Sequence, residues 1–180
     1  MARVDIPNFL CILRIAMLLP IIGIWMHVPN PWPFLCACFA FAAFTDWLDG
    51  FLARKWRVQT PLGAMLDQIA DKLLVGTLLI LFVSEHRVSV ILAVLLIMRE
   101  IWVSGVREYL GTQQIAVPVV LSGKVKTAMQ LIGLSCILFS TLLTQRMWHD
   151  TFYISGIASL WIAAGFGMWS ARSYTKALFR

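Results

Sequence analysis

Apolar residues run along this chain in stretches of about twenty, and six such stretches follow one another, at roughly 8–28, 32–54, 62–84, 88–109, 122–144 and 151–173. A bilayer core about 30 Å thick is crossed by roughly 20 apolar residues in a helix. Inside it each backbone N–H and C=O must be satisfied within its own segment or within a closed barrel. The runs here are too continuous for the alternating pattern of barrel strands. With 60% hydrophobic and 13% charged residues the chain is also too apolar for a soluble domain of its length. The sequence therefore predicts an all-α polytopic membrane protein: one domain over 1–180, six transmembrane helices, and a short N-terminal interfacial helix leading into the first.

That lead-in is Asp5-Ile6-Pro7-Asn8, in which Asp5 suits a cap and Pro7 a first helical turn. Pro20 is expected to kink the first crossing. The run from Phe9 to Met26 has no convincing small-residue cleavage site and is followed by more of its kind, so it reads as a retained helix. Cys11, Cys36, Cys38 and Cys136 all fall in apolar segments, as small core or lipid-facing residues rather than disulfides or metal ligands.

Lysine and arginine set the expected orientation, because cytoplasmic loops carry the positive excess. Arg3, Arg54, Lys55, Arg57, Arg107, Lys124, Lys126, Arg172, Lys176 and Arg180 fall at ends that a six-helix path places on one side, against Arg87 and Arg146 on the other. Both termini are thus expected in the cytoplasm. The net charge of +6 then gathers at one membrane face, with lipids and not nucleic acid as its partner.

Charges inside apolar helices are costly unless paired, hydrated or bound to metal, which directs attention to the second and third segments. Asp46, Asp49, Gly50 and Ala53 follow i, i+3, i+4, i+7 spacing and share a helix face, while Gly63, Asp67 and Asp71 step along another face by single turns. In a hairpin turning near Val58 and Gln59, Asp49 lies level with Asp67 and Asp46 with Asp71. Four carboxylates in one layer repel one another, and neighbouring Arg54 and Lys72 supply only two positive charges. Bound divalent ions resolve this. An oxygen-only donor set favours hard ions, Mg²⁺ first, with Mn²⁺ or Ca²⁺ as substitutes, and two ions sharing carboxylates suit phosphoryl transfer. An Asp/Arg/Lys network that only ties helices together, or the ion path of a small transporter, stays open on the same residues. Gly50, Ala53 and Gly63 would let a flat group approach the backbone, or equally let helices pack closely.

The pattern Asp46-x2-Asp49-Gly50-x2-Ala53-Arg54-x8-Gly63-x3-Asp67-x3-Asp71 resembles the complete signature of the CDP-alcohol phosphatidyltransferase family, eight fixed positions across 26 residues. The stretches Ile6 to Leu10, Arg99 to Glu108 and Gly123 to Thr127 are similar to the bacterial branch whose acceptor is glycerol 3-phosphate. The resemblance implies a six-helix fold, usually homodimeric, in the bacterial inner membrane, with a polar cavity open to the cytoplasm and two ions, Mg²⁺ or Mn²⁺. It implies Asp46, Asp49 and Asp67 as principal ligands, with Asp71 completing the second ion's shell and acting as base. Asp49, Gly50, Ala53, Arg54 and Gly63 would line the CDP site, with Asn8 near it. The implied reaction joins CDP-diacylglycerol and glycerol 3-phosphate to give phosphatidylglycerophosphate and CMP. A sister transferase using phosphatidylglycerol or an inositol phosphate is the alternative within the family.

A dianionic acceptor needs a cationic pocket, for which Arg99, Arg107, Lys124 and Lys126 are available, although Glu100 and Glu108 can pair with such residues structurally. Two positions depart from the branch pattern: Cys11 where threonine is frequent, and Gln68 where proline is frequent. Neither removes a proposed ligand.

Overall fold

The first apolar run does not form one unbroken helix. In the computed structural model, which describes residues 5–56, 60–114 and 121–178, it divides into α1 (Asp5–Ala16) and α2 (Leu18–His27). Side chains 5–7, 47, 49, 53, 54, 177 and 178 lie outside the described part. Pro20 has no N–H for the carbonyl of Ala16, and its ring crowds that carbonyl. The irregularity falls at Met17, one turn earlier than Pro20 itself. It is local, because Met17 N still donates to Leu13 O at 2.9 Å and Ile21 N to Met17 O at 3.2 Å. Among the described residues no separate interfacial helix precedes α1, and the cap assigned to Asp5 rests on a side chain outside them.

Proline and hydroxyl signals set most of the other boundaries. Pro29 and Pro31 separate α2 from α3 (Trp32–Trp56), and Trp25 and Trp32 close the corner edge to face, with ring centroids 5.4 Å apart. The turn expected at Val58 and Gln59 lies outside the described residues. Beyond it Thr60 caps α4 (Pro61–Ser84): its Oγ1 accepts from Gly63 N at 3.0 Å, and Pro61 takes the first helical position, where a missing N–H costs nothing. At the far end His86 adopts φ 57°, and Arg87 N and Val88 N both donate to Phe82 O. Ser89 then opens α5 (Val90–Thr112), its Oγ accepting from Leu92 N. The remaining helices are α6 (Leu121–Ser140) and α7 (Arg146–Leu178).

The chain divides into two compact units, Met1–Leu78 and Leu79–Arg180, with the boundary inside α4. In the first unit α1 packs on α3 and α2, burying Cys11, Ile21, Leu35, Phe39 and Ala42. In the second, α7 packs along α6 and α5 around Leu134, Ile137, Leu160 and Ala163, with Val103, Val106, Leu110 and Tyr174 forming a further cluster. All four cysteines are free thiols.

The α6–α7 contact depends on two glycines that face each other. A Cβ on Gly156 would stand 2.9 Å from Gly133 O and 3.0 Å from Ile137 N, both backbone atoms that cannot step aside. Close backbone approach at small residues is the usual way membrane helices gain packing, since burial of apolar surface drives little association in lipid. Gly156→Ala is therefore expected to destabilise the detergent-solubilised protein by about 1–3 kcal/mol. Gly165→Ala, whose Cβ meets nothing within 4 Å, serves as the control. Equal thermal midpoints for the two variants would show that the glycine contact does not matter.

All described elements are helices, and large apolar side chains stand exposed along them, among them Phe41, Phe44, Leu73, Ile80, Ile91 and Trp169. Lipid is the solvent that tolerates such a surface. Asn8–His27, Trp32–Leu52 and Arg146–Lys176 are long and apolar enough to cross a membrane by length and composition alone. Helices α4, α5 and α6 have 24, 23 and 20 residues, length enough at 1.5 Å per residue. They hold charged groups as well, Asp67, Asp71 and Lys72 on α4, Arg99 and Glu100 on α5, and Lys124 and Lys126 on α6. This is a membrane protein.

Candidate functional site

Within the first unit three carboxylates converge on one atom. Arg14, on the last turn of α1, is 2% exposed. Its Nη1 lies 2.9 Å from Asp46 Oδ1 on α3, 3.2 Å from Asp67 Oδ1 and 3.2 Å from Asp71 Oδ1, both on α4. The carboxylates themselves remain roughly half exposed, with 48%, 45% and 58% of their side-chain surface open. Asp67 and Asp71 reach the same point because four residues is one helical turn. Asp46 comes from a separate helix, whose preceding turn is anchored by buried Thr45 bonding back to Ala42 O.

One oxygen from each aspartate can be chosen so that all three lie within 4.8 Å of one another. An ion bound at 2.0–2.6 Å needs its ligand oxygens at most about 4–5 Å apart, so the spacing of the three oxygens suits a hard divalent cation, with Arg14 Nη1 standing beside them. The donors are all carboxylate oxygens, without sulfur or imidazole, which again fits Mg²⁺, Mn²⁺ or Ca²⁺ rather than a softer metal.

A second part of the unit is built by the α4 cap. Thr60 Oγ1 donates to Asn8 Oδ1 at 3.4 Å, and Asn8 Oδ1 lies only 2.6 Å from where a Cβ on residue 63 would be. Gly63 thus leaves the space that the Asn8 amide takes, a close approach that no larger residue allows unshifted.

The second unit holds a buried charge network. Lys126, 2% exposed, pairs with Glu100. Arg99 donates from Nη1 to Glu100 Oε1 at 3.3 Å, from Nη2 to Ser170 Oγ at 2.8 Å and from Nε to Gly167 O at 3.3 Å. Gly167 makes room for it: a Cβ there would stand 3.4 Å from both Arg99 Cδ and Lys126 Cγ. Arg107 and Lys124 are exposed.

The sequence of residues 4–169 matches the model of the CDP-alcohol phosphatidyltransferase family. The chain belongs to the CDP-alcohol phosphatidyltransferase family. Among its relatives, the CDP-diacylglycerol–glycerol-3-phosphate 3-phosphatidyltransferase of Rickettsia bellii is 37% identical over 175 residues, 96% of this chain and 94% of that one. The protein of the same name from Pectobacterium atrosepticum is 39% identical over 182 residues, again 96% and 94%. That from Escherichia coli K12 is 37% identical over 180 residues, with the same coverage.

Of the signature residues of this phosphatidyltransferase family, the structure brings together Asp46, Asp67 and Asp71, and separately it sets Gly63 beside Asn8, the residue expected near the CDP site. Gly50 lies on α3, one residue beyond Asp49. The side chains of Asp49, Ala53 and Arg54 are outside the described residues. Of the four cations expected for the acceptor phosphate, Arg99 and Lys126 turn into helix contacts and share Glu100, while Arg107 and Lys124 face outward.

Arg14 is the residue that sequence reasoning passed over. The positive charges weighed against the carboxylates were Arg54 and Lys72, on the same two segments. A signal did exist, since Arg14 is a full charge deep in the first apolar run, which is costly without a partner. What the sequence did not show was the partner's address, 32 to 57 residues further on.

Proposed function

We propose that this protein transfers the phosphatidyl group of CDP-diacylglycerol to glycerol 3-phosphate, giving phosphatidylglycerophosphate and CMP. The observation that carries the reading is the convergence of Asp46, Asp67 and Asp71 from two helices on one point, inside the family's signature spacing. The relatives named for this reaction support the choice of acceptor.

The aspartates, with Asp49 as a fourth, would hold two divalent ions, Mg²⁺ or Mn²⁺. Bound there, such ions neutralise the oxygens of the pyrophosphate and the charge that develops on departing CMP. The chain's own groups do the rest. Asp71, the most open of the three carboxylates, accepts the proton of the acceptor hydroxyl as its oxygen bonds to the lipid-linked phosphorus and the bond from that phosphorus to CMP breaks. Gly63 and Asn8, with Gly50, Ala53, Arg54 and Asp49, form the nucleotide side of the site. Gly63 supports this role by letting the Asn8 amide sit against the start of α4.

Arg107 and Lys124 contact the acceptor phosphate, in keeping with their exposure. Arg99 and Lys126 contribute positive charge to the same function from a more buried position. All six long apolar segments cross the bacterial inner membrane as one domain over 1–180, with both termini and the site on the cytoplasmic face. The lysine and arginine distribution supports that orientation. The family resemblance supports a homodimer.

The test is release of CMP by the purified protein from CDP-diacylglycerol with Mg²⁺ or Mn²⁺, comparing glycerol 3-phosphate, phosphatidylglycerol and inositol phosphate as acceptors. Turnover is expected with glycerol 3-phosphate, on the order of 100-fold or more above the others, because phosphatidylglycerol lacks the phosphate dianion the cations would clamp and inositol phosphate presents its hydroxyls on a bulkier ring. Preference for another alcohol would make this a sister transferase. Silence with every acceptor and ion would leave the transporter reading standing.

A further inference from the structure

The guanidinium of Arg14 meets the aspartates in an unusual way. A terminal guanidinium nitrogen carries two hydrogens, and arginine normally pairs a carboxylate through two parallel bonds from different nitrogens. Here a single nitrogen has one oxygen from each of three different carboxylates within 3.2 Å. Two hydrogens cannot serve three acceptors equally. The arrangement is that of ligands around a centre of positive charge. The rest of the side chain is buried, so this charge is fixed within the first unit and does not swing in solvent.

An ion seated among the three Oδ1 atoms at 2.0–2.6 Å would crowd Nη1, which lies 2.9–3.2 Å from the same three atoms, and two positive centres so close repel each other strongly. We infer that Arg14 sets the divalent-ion affinity of the aspartate cluster by competing for the same carboxylate oxygens, and must withdraw from them as an ion enters. The inference rests on the reading that these aspartates take divalent ions. It makes Arg14 a positioning residue: it draws Asp46 of α3 toward Asp67 and Asp71 of α4 and holds ion binding in a weak, reversible range. Without it the carboxylates would bind the cation free of that competitor.

The experiment is direct binding of Mn²⁺ to detergent-purified protein without substrate, read from the free-ion signal in electron paramagnetic resonance. Arg14→Gln, which removes the charge and keeps polar atoms, is expected to bind Mn²⁺ at least about tenfold more tightly than wild type. Equal or weaker binding would overturn the inference. Should Arg14→Gln fail to fold, Arg14→Lys carries the test. Its shorter ammonium reaches fewer of the three oxygens, so the Kd is expected to drop about threefold or more, and a Kd at or above wild type counts against competition. Asp67→Asn separates the two levels. If wild type binds Mn²⁺, Asp67→Asn loses it and Arg14→Gln matches wild type, only the role of Arg14 falls. If neither wild type nor Arg14→Gln binds Mn²⁺, the ion-site reading falls and the inference with it.

Discussion

Asp67→Asn is expected to reduce CMP release by roughly 10³-fold or more while leaving the protein folded. The carboxamide keeps the shape of the side chain and one neutral oxygen, but removes one of the negative charges that meet at Arg14. Arg14 retains Asp46 and Asp71 as partners, so the packing of the first unit should survive. A hard divalent ion, by contrast, depends on ligand charge as well as ligand count, and the amide oxygen is a poor substitute. The pair of measurements is single-turnover CMP release beside the thermal midpoint in detergent. Wild-type turnover would remove Asp67 from the reacting site, and a collapsed midpoint would make it a structural residue instead.

The second large effect concerns Glu100. Its carboxylate is the anion shared by Lys126 and Arg99, whose side chains are only 3% and 9% exposed. Glu100→Ala leaves Lys126 as a buried cation without its carboxylate, whereas Arg99 keeps Ser170 Oγ and Gly167 O. Removing one partner of a buried pair costs more than removing both, because the survivor is left uncompensated. Glu100 is itself 22% exposed, so water screens part of the interaction, and the expected loss is about 2–3 kcal/mol. The double variant Glu100→Leu with Lys126→Met should regain most of it. Denaturant titrations of wild type, Glu100→Leu, Lys126→Met and the double variant form a cycle, and additive effects would show that the two side chains do not depend on each other.

The boundaries of the helices were open to reading from the chain, within a few residues, wherever proline, threonine or serine punctuates it. Thr60-Pro61 starts α4 where expected, and Pro29 and Pro31 end α2. The break at Met17 was less legible: proline acts on the turn before it, and where the strain is released depends on what packs around that turn. The run expected over 151–173 extends to Arg146–Leu178, because polar residues such as His149, Asp150 and Lys176 continue a helix once its middle is anchored.

Periodicity, read on one helix at a time, determined that Asp67 and Asp71 share a face, that Asp46 heads a small-residue face, and that the chain lives in lipid. Those are local facts, fixed by 3.6 residues per turn and by the cost of charge among apolar side chains. Only the tertiary structure decided which cation the carboxylates meet and which of the basic residues are already engaged. Arg14 reaches Asp71 across 57 positions of sequence, and Arg99 reaches Ser170 across 71. Contacts of that span depend on how whole helices pack, and no spacing within a segment encodes them.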